Sequence, residues 1–167
     1  MEPQISVVAP VYNEEALVRE FYERVTTVMS CLGEPWELIL VDDGSRDQTP
    51  EELDRIQAGD PDHVIVVHFA RNFGHQLAIT AGMDYARGNA VVTIDSDLQD
   101  PPEVIPDLVR RWHEGYEVVY AVRSEREGET WFKLATADLF YRIIQKLTSV
   151  TIPMEAGDFR LLDRKAL

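Results

Sequence analysis

The sequence has one cysteine, no long hydrophobic run and few basic residues. Cys31 stands alone, which excludes an internal disulfide and a cysteine-based zinc site, and its thiol is expected in a partly buried core position. No segment approaches the roughly 18–20 uninterrupted apolar residues of a membrane-spanning helix. The N-terminus also lacks the basic-then-apolar pattern of a secretory signal. The chain as given is therefore expected to be soluble and cytoplasmic.

Basic residues are outnumbered by acidic ones, 16 to 30, which gives a formal net charge of −14. Because neutralising phosphates requires a basic surface, this balance argues against a nucleic-acid partner. The charge is uneven: residues 1–122 hold 8 basic and 23 acidic residues (net −15), and residues 123–167 hold 8 and 7 (net +1). The last quarter is either a surface for an anionic partner or a less acidic solvated face.

The 167 residues, 45% of them hydrophobic, suit one domain with its own core. Short β-branched runs alternate with stretches of helical spacing, which predicts an α/β fold whose mostly parallel sheet is flanked by helices. Each run is expected to be buried on both faces. The predicted strands are 5–9, 38–41, 64–69, 90–94 and 118–122, and the predicted helices are 14–29, 49–57, 74–86 and 102–114. The residues expected to pack the first helix on the sheet are Leu17, Phe21, Val25 and Val28.

Polar residues follow every predicted strand. Ligands of open parallel sheets bind beyond the carboxyl ends of the strands, and a purely structural scaffold does not need polar chemistry at each of them. The sequence therefore predicts a ligand site at this edge of the sheet. The residues concerned are 10–14, 42–45, 70–74 and 95–100, with Arg123 after the fifth strand.

Asp95 and Asp97 come directly after the fourth predicted strand. Two carboxylates so close together repel each other unless a positive group lies beside them. Mg²⁺ and Mn²⁺ suit hard oxygen ligands and complete their coordination with substrate phosphates and water. On an ordinary surface the pair would be solvated, but its position at the end of an apolar strand predicts a metal site.

Asp42 and Asp43 stand where the second predicted strand meets a Gly-Ser turn. One interpretation is local: Asp43 and Ser45 shape the turn, and Asp47 or Thr49 caps the next helix. The other is a ligand contact, because a carboxylate at a strand end can accept hydrogen bonds from a base edge or ribose hydroxyls. The glycine fingerprint of dinucleotide sites is absent after the first strand, which argues against a dehydrogenase.

Five motifs follow one another along the chain: Pro-Val-Tyr-Asn-Glu (10–14), Asp-Asp-Gly-Ser (42–45), Arg-Asn-Phe-Gly (71–74), Asp-Ser-Asp-Leu-Gln-Asp-Pro-Pro (95–102) and Gly-Asp-Phe-Arg-Leu-Leu (157–162). Together they resemble the polyprenyl-phosphate glycosyltransferases, the group of dolichol-phosphate mannose synthases and bacterial undecaprenyl-phosphate glucosyltransferases of the GtrB kind. The resemblance runs from about residue 5 to the C-terminus. Each motif alone has little specificity, and the five in register are specific.

The resemblance implies a GT-A fold and transfer of a hexose, with inversion, from a nucleotide sugar to a polyprenyl phosphate. It implies UDP-glucose as the favoured donor, with GDP-mannose next, and Mg²⁺ or Mn²⁺ as the cofactor. The implied nucleotide-sugar residues are Pro10, Tyr12, Glu14, Asp42, Asp95 and Gln99; the implied metal ligands are Asp95, Asp97 and Gln99; the implied catalytic residues are Asp97, Arg123 and Asp158.

The role of Asp158 stays open, because a phosphate acceptor is already anionic and has less need of a general base. Asp158 acts as a base, positions the acceptor or pairs with Arg160. His68, His75 and His113 are interpreted as solvated or core histidines, with more weight on His75 because it follows Gly74 in a predicted site loop.

Residues 1–125 are expected to form the nucleotide-sugar-binding core, and 126–167 the acceptor side of the same domain with a final core strand. Segment 131–147 has helical apolar spacing with basic flanks. It is either an interfacial helix at the membrane surface or a helix packed on the sheet or a partner copy. The relatives continue into transmembrane helices, so a truncated chain is expected, with the whole protein anchored at the cytoplasmic face of the membrane and possible homo-oligomers.

Two other functions remain open at this point. One is a glycosyltransferase of similar fold with a saccharide acceptor. The other is a non-catalytic module that binds a nucleotide sugar or a lipid. Metal-enhanced binding of a nucleoside diphosphate would support a nucleotide-sugar donor site, and its absence would argue against one.

Overall fold

A six-stranded sheet lies at the centre of the computed structural model, which describes residues 2–121 and 158–167. The strand order is β3-β2-β1-β4-β6-β5; the first four are parallel, and β6 is antiparallel to both of its neighbours. The strands are β1 (Ile5–Val11), β2 (Trp36–Asp42), β3 (Val64–His68), β4 (Ala90–Thr93), β5 (Val118–Tyr120) and β6 (Arg160–Asp163). The helices are α1 (Val18–Leu32), α2 (Thr49–Gly59), α3 (His75–Tyr85) and α4 (Ile105–His113), with 3₁₀ turns at Pro102–Val104 and Arg164–Ala166.

The core lies on both faces of the sheet, as expected for strands without a polar face. Val7 of β1 belongs to the larger apolar cluster, with Phe21 of α1, whereas the next residue, Val8, packs on the other face with Ala78 of α3. The contact with α3 is close, because a Cβ added at Gly82 would lie 2.3 Å from Val8 Cγ1. Helix α3 is therefore fixed firmly against the sheet.

Burial on both faces is wrong for the two outer strands. Val118 of β5 is 39% exposed, and His68 at the end of β3 is exposed as well. Both strands lie at an edge of the sheet, where one side lacks a neighbouring strand. Their apolar composition alone did not distinguish them from central strands.

Helix α1 begins four residues later than predicted. Asn13 has a φ of 55°, and the Glu14 N–H donates to Thr49 Oγ1, so the chain turns before the helix starts. Phe21 and Val25 are buried as predicted, Val28 is half-buried against the core, and Leu17 is half-buried just before the helix. Cys31 lies off the buried face and is exposed, which corrects the expected core thiol. The buried residues of α1 are Val18, Phe21, Val25 and Met29.

None of the helices in the described part of the chain has the length and apolar character needed to cross a membrane. Segment 131–147 and Arg123, for which the sequence made predictions, lie outside the described residues.

Candidate active site

A cavity of about 350 Å³ opens at the carboxyl ends of β1 and β4. Its size is within the range of small-molecule sites, and its position is where ligands of such sheets bind. Four loops, those after β1, β2, β3 and β4, and the start of α3 contribute to it. The lining residues are Pro10, Val11, Tyr12, Glu14, Asp43, Asn72, Gly74, His75, Asp95, Ser96 and Asp97.

The loop after β1 is tied to the loop after β2 by reciprocal hydrogen bonds. The Asn13 N–H donates to Ser45 Oγ at 2.9 Å, and the Arg46 N–H donates to Asn13 Oδ1 at 2.8 Å. Asp47, just before α2, accepts from the Thr49 N–H, but the N-cap residue of this helix is Gln48, without a side-chain cap bond, so the predicted capping by Asp47 or Thr49 is wrong. These contacts leave Tyr12 as an exposed ring on the cavity wall.

Asp43 ties the loop after β2 to the loop before α3. Its carboxylate accepts from the N–H groups of Phe73 (2.7 Å) and Gly74 (3.0 Å). Gly44 permits this approach: its φ is 71°, and an added Cβ would lie 2.4 Å from the carbonyl carbon of Arg71. The turn therefore requires glycine, because a side chain would push the two loops apart.

The loop after β4 is anchored to β1 and holds Asp97 by its own backbone. The buried Ser96 hydroxyl donates to the Pro10 carbonyl at 2.9 Å. Asp97 Oδ1 accepts from the Gln99 N–H at 3.0 Å, and Leu98 between them has a φ of 61°. Gln99 itself is exposed and stands outside the cavity lining.

One carboxylate oxygen of Asp95, Oδ1, is buried and has no hydrogen-bond partner in the described ranges. Burial raises the pKa of Asp95, and His75 opposes the increase. The like charges of Asp97, Asp158 and Asp100 add to it. Perturbed carboxyl groups that gather at a cavity are typical of functional sites.

The acidic environment extends to Glu14 on the opposite wall. Burial raises the pKa of Glu14, and the charges of Asp97 and Asp47 raise it further. Negative charge thus accumulates around one small cavity, so its ligand is expected to bring or recruit positive charge.

Asp95 and Asp97 fit a divalent cation that also binds phosphate. Such an ion takes one or two protein carboxylates, and phosphate oxygens with water complete its shell. The buried Oδ1 of Asp95, which accepts no hydrogen bond from the described residues, and the surrounding negative charge meet that description. Residues 2–121 and 158–167 contain no group of three or more His, Cys, Asp or Glu that would hold a metal alone. The fit therefore depends on a ligand that supplies further oxygens.

Asp158 reaches the site from the segment that leads into β6. Its Oδ2 lies 3.0 Å from His75 Nε2, and the Gln76 amide nitrogen lies 3.3 Å from the same oxygen. The hydroxyl of Thr93, at the end of β4, donates to the Asp158 carbonyl. The described contacts of the Asp158 carboxylate are therefore with α3, and no pair with Arg160 is found among them.

Asp42 faces a neighbouring cavity of about 490 Å³. It is 2% exposed, and its oxygens are taken up by the Ser45 N–H at 2.9 Å and by His68 Nδ1 at 3.0 Å. His68 Nε2 in turn lies 3.1 Å from Asp54. The carboxylate on the wall of the first cavity is Asp43, not Asp42.

The structure thus brings together most of the residues that the sequence pointed to. Asp158 contacts His75 of the cavity wall, and Asp42 lines the neighbouring cavity. Arg123 lies outside the described residues. The sequence did not predict the hydrogen bonds between Asp43 and the loop before α3. His75, which contacts two carboxylates of the site, was also given too little weight. The available signal for His75 was its position directly after Gly74. The predicted residues in the main cavity are Pro10, Tyr12, Glu14, Asp95 and Asp97.

Residues 6–167 match the family described as Glycosyl transferase family 2. The chain belongs to this family. Its fold is the GT-A glycosyltransferase fold. It resembles glucosyl-3-phosphoglycerate synthase from Mycobacterium tuberculosis, solved with Mn²⁺, UDP and glucosyl-3-phosphoglycerate, with a TM-score of 0.67 and 24% identity over 98% of this chain and 57% of that one.

Two curated relatives of this family 2 domain are more similar in sequence. An uncharacterized glycosyltransferase of Bacillus subtilis, YkcC, is 56% identical over 97% of this chain and 50% of its own length. A bactoprenol glucosyl transferase of Shigella phage SfV is 40% identical over 98% of this chain and 53% of its own length. The chain therefore spans about half the length of these relatives.

Proposed function

We propose that this family 2 domain transfers glucose from UDP-glucose to a polyprenyl phosphate with inversion at the anomeric carbon. The observation that carries the proposal is the buried Oδ1 of Asp95, which accepts no hydrogen bond within the described part of the chain and lies next to Asp97 in an acidic cavity. A ligand that arrives with a divalent cation and phosphate oxygens satisfies this atom, and a nucleoside diphosphate sugar is such a ligand. GDP-mannose is the second choice of donor.

The choice of sugar and acceptor is supported by the relatives. The phage relative at 40% identity is named for bactoprenol and for glucosyl transfer. The structural relative was solved with UDP and Mn²⁺. A polyprenyl acceptor is a membrane lipid, so the reaction would take place at the membrane surface.

In the reaction, an oxygen of the lipid phosphate forms a bond to the anomeric carbon as the bond to the diphosphate breaks. The electron pair leaves with the nucleoside diphosphate. Asp95 and Asp97 would hold Mg²⁺ or Mn²⁺, which acts as a Lewis acid for the charge of the leaving group. Because the acceptor is already anionic, the task of the protein residues is to position the reactants.

Several side chains are suited to that task. The exposed ring of Tyr12 offers a flat surface on the cavity wall for a nucleobase. The Gln99 N–H fixes the Asp97 carboxylate, and the Ser96 hydroxyl anchors the loop to β1. Asp158 is proposed to orient the acceptor beside the sugar. The role of Gln99 as a metal ligand and that of Arg123 toward phosphate are proposed on the family resemblance.

Calorimetry tests the donor site. UDP and GDP are titrated into the protein with and without MnCl₂, and we expect Mn²⁺ to strengthen binding, more for UDP than for GDP. Asp97→Asn should lose the Mn²⁺ effect. The matched control is Asp107→Asn, a charge change on the exposed side of α4. Nucleotide binding that is indifferent to Mn²⁺ for both UDP and GDP would contradict the donor site.

A transfer assay tests the acceptor. The protein is mixed with UDP-glucose, Mn²⁺ and undecaprenyl phosphate, and NMR identifies the anomeric configuration of the lipid product. Inversion of the α-linked donor gives a β-linked product. Transfer to a saccharide but not to the lipid phosphate would replace the proposed acceptor.

A further inference from the structure

His75 lies between two carboxylates of the cavity, at the first residue of α3. Its Nε2 is 3.0 Å from Asp158 Oδ2 and 3.5 Å from Asp95 Oδ1. A carboxylate accepts hydrogen bonds, so the shorter contact assigns a proton to Nε2 and makes His75 the donor. One N–H cannot serve both carboxylates equally well. The bond goes to Asp158, and Asp95 Oδ1 is left without a hydrogen-bond partner.

Asp158 is held from two sides. The Gln76 amide nitrogen lies 3.3 Å and 3.4 Å from its two carboxylate oxygens, which adds a second donor from α3. On the other side, Thr93 binds its carbonyl. Helix α3 is a firm support, since its residue Gly82 packs closely on β1. The carboxylate therefore has a fixed place relative to the sheet.

We infer that His75 is a positioning residue that holds the Asp158 carboxylate toward the reacting sugar and away from the cation site. A cation between Asp95 and Asp97 attracts any carboxylate nearby, and Asp158 contributes to the negative potential at Asp95. The hydrogen bonds from α3 oppose that attraction. The inference rests on the proposed function, because it gives Asp158 a task in sugar transfer.

The kinetic test compares His75→Phe with His75→Gln in the intact protein. Phenylalanine keeps a ring but cannot donate, whereas the glutamine amide can place a donor near the position of Nε2. We expect kcat of His75→Phe to fall about 10–100-fold, the size seen when a supporting hydrogen bond to a site ligand is lost. KM for UDP-glucose should change less than about twofold, and His75→Gln should recover most of kcat.

The control variant is Asp84→Asn, an exposed change on the same helix, which should leave both constants unchanged. A His75→Phe enzyme with normal kcat overturns the inference. So does a variant whose KM rises while kcat stays constant, since that pattern describes donor binding. Failure of glutamine to restore kcat in a folded variant also overturns it, because the donated hydrogen bond is then not what matters.

A second measurement does not depend on catalysis. NMR of ¹⁵N-labelled histidine rings in the full chain, without donor or metal, should show His75 protonated at Nε2. Asp158→Ala should shift this ring signal, while Asp107→Ala should not. An unchanged His75 signal in Asp158→Ala overturns the contact. If the wild-type protein transfers no sugar from UDP-glucose or GDP-mannose, the proposed function fails, and the ring spectrum alone decides whether His75 holds Asp158.

Discussion

Two carboxylates at opposite ends of the sheet differ in how completely they are paired. Glu37, at the start of β2, is buried and accepts from the Ser6 hydroxyl at 2.7 Å and from the Arg87 N–H at 2.7 Å. Its second oxygen accepts from the Arg87 guanidinium at 2.6 Å and 2.9 Å. Asp95, at the end of β4, has a buried oxygen with no hydrogen bond.

The difference separates a structural carboxylate from a candidate functional one. A buried charge is costly unless hydrogen bonds and an opposite charge compensate it. Glu37 has both, and it fastens the turn before β4 to β1 and β2. Asp95 stands among other carboxylates with His75 as its nearby partner. The buried carboxylate of Asp95 is expected to destabilise the free protein, and a bound ligand would supply the missing positive charge. Functional sites often reduce stability in this way.

The largest effect is expected when Glu37 loses its partner. Arg87→Met leaves the Glu37 charge buried, and removing one member of such a pair typically costs 3–5 kcal/mol. Because the Ser6 hydroxyl and the residue 87 N–H remain, we expect a loss of about 3 kcal/mol in the free energy of unfolding. Urea denaturation followed by circular dichroism measures it.

Arg55→Met is the matched control for Arg87→Met. The side chains of Arg55 and Arg87 are 65% and 63% exposed, but the partner of Arg55, Glu52, is 16% exposed where Glu37 is 2%. A surface pair of this kind contributes at most about 1 kcal/mol. Equal losses in the two variants would refute the structural role given to Glu37.

The same isosteric change at the two carboxylates should have opposite signs. Glu37→Gln weakens the bonds from Arg87 and should cost about 1 kcal/mol. Asp95→Asn removes a charge that is poorly compensated and repelled by Asp97, so it should stabilise the protein by about 1 kcal/mol. Thermal and urea unfolding in EDTA measure both. A destabilised Asp95→Asn protein would mean that Asp95 is satisfied without a ligand.

The sequence predicted those parts of the molecule that depend on local pattern. The uninterrupted apolar runs of β1, β2 and β4 predicted central strands, and the polar residues after them predicted the edge at which the cavity lies. The choice between Asp42 and Asp43 was beyond such reasoning. Successive residues at a strand end point to opposite sides, and one position decides which carboxylate meets the cavity.

Local sequence patterns also could not predict contacts between distant parts of the chain. Strand β6 pairs antiparallel between β4 and β5, although it follows both in sequence. Asp158 reaches His75 across 83 positions. No spacing rule connects them, so the histidine looked like an ordinary solvated or core residue. Only the packing of α3 against β1 and the route of the chain into β6 bring the two side chains together.

The smallest expected effect on stability concerns Asp42. It lies at the carboxyl edge of the sheet yet is paired like Glu37, and its partner, His68, can lose its charge. Burial lowers the pKa of His68, but hydrogen bonds to Asp42 and Asp54 outweigh burial and leave the pKa raised. A histidine with a raised folded pKa contributes stability that is complete below the unfolded pKa of about 6.5. That contribution is lost as the pH rises through the folded pKa.

Wild-type protein should therefore lose more stability between pH 6 and pH 8 than His68→Gln does. Because His68 is 36% exposed, solvent screening keeps the expected difference to a few tenths of a kcal/mol, the size of a surface pair. Asp54→Asn should remove part of the difference, and Glu51→Gln on the same helix should remove none. Urea unfolding at the two pH values measures it. If His68→Gln loses as much as the wild type, Asp42 is held by the Ser45 N–H alone, and its pairing is closer to that of Asp95 than to that of Glu37.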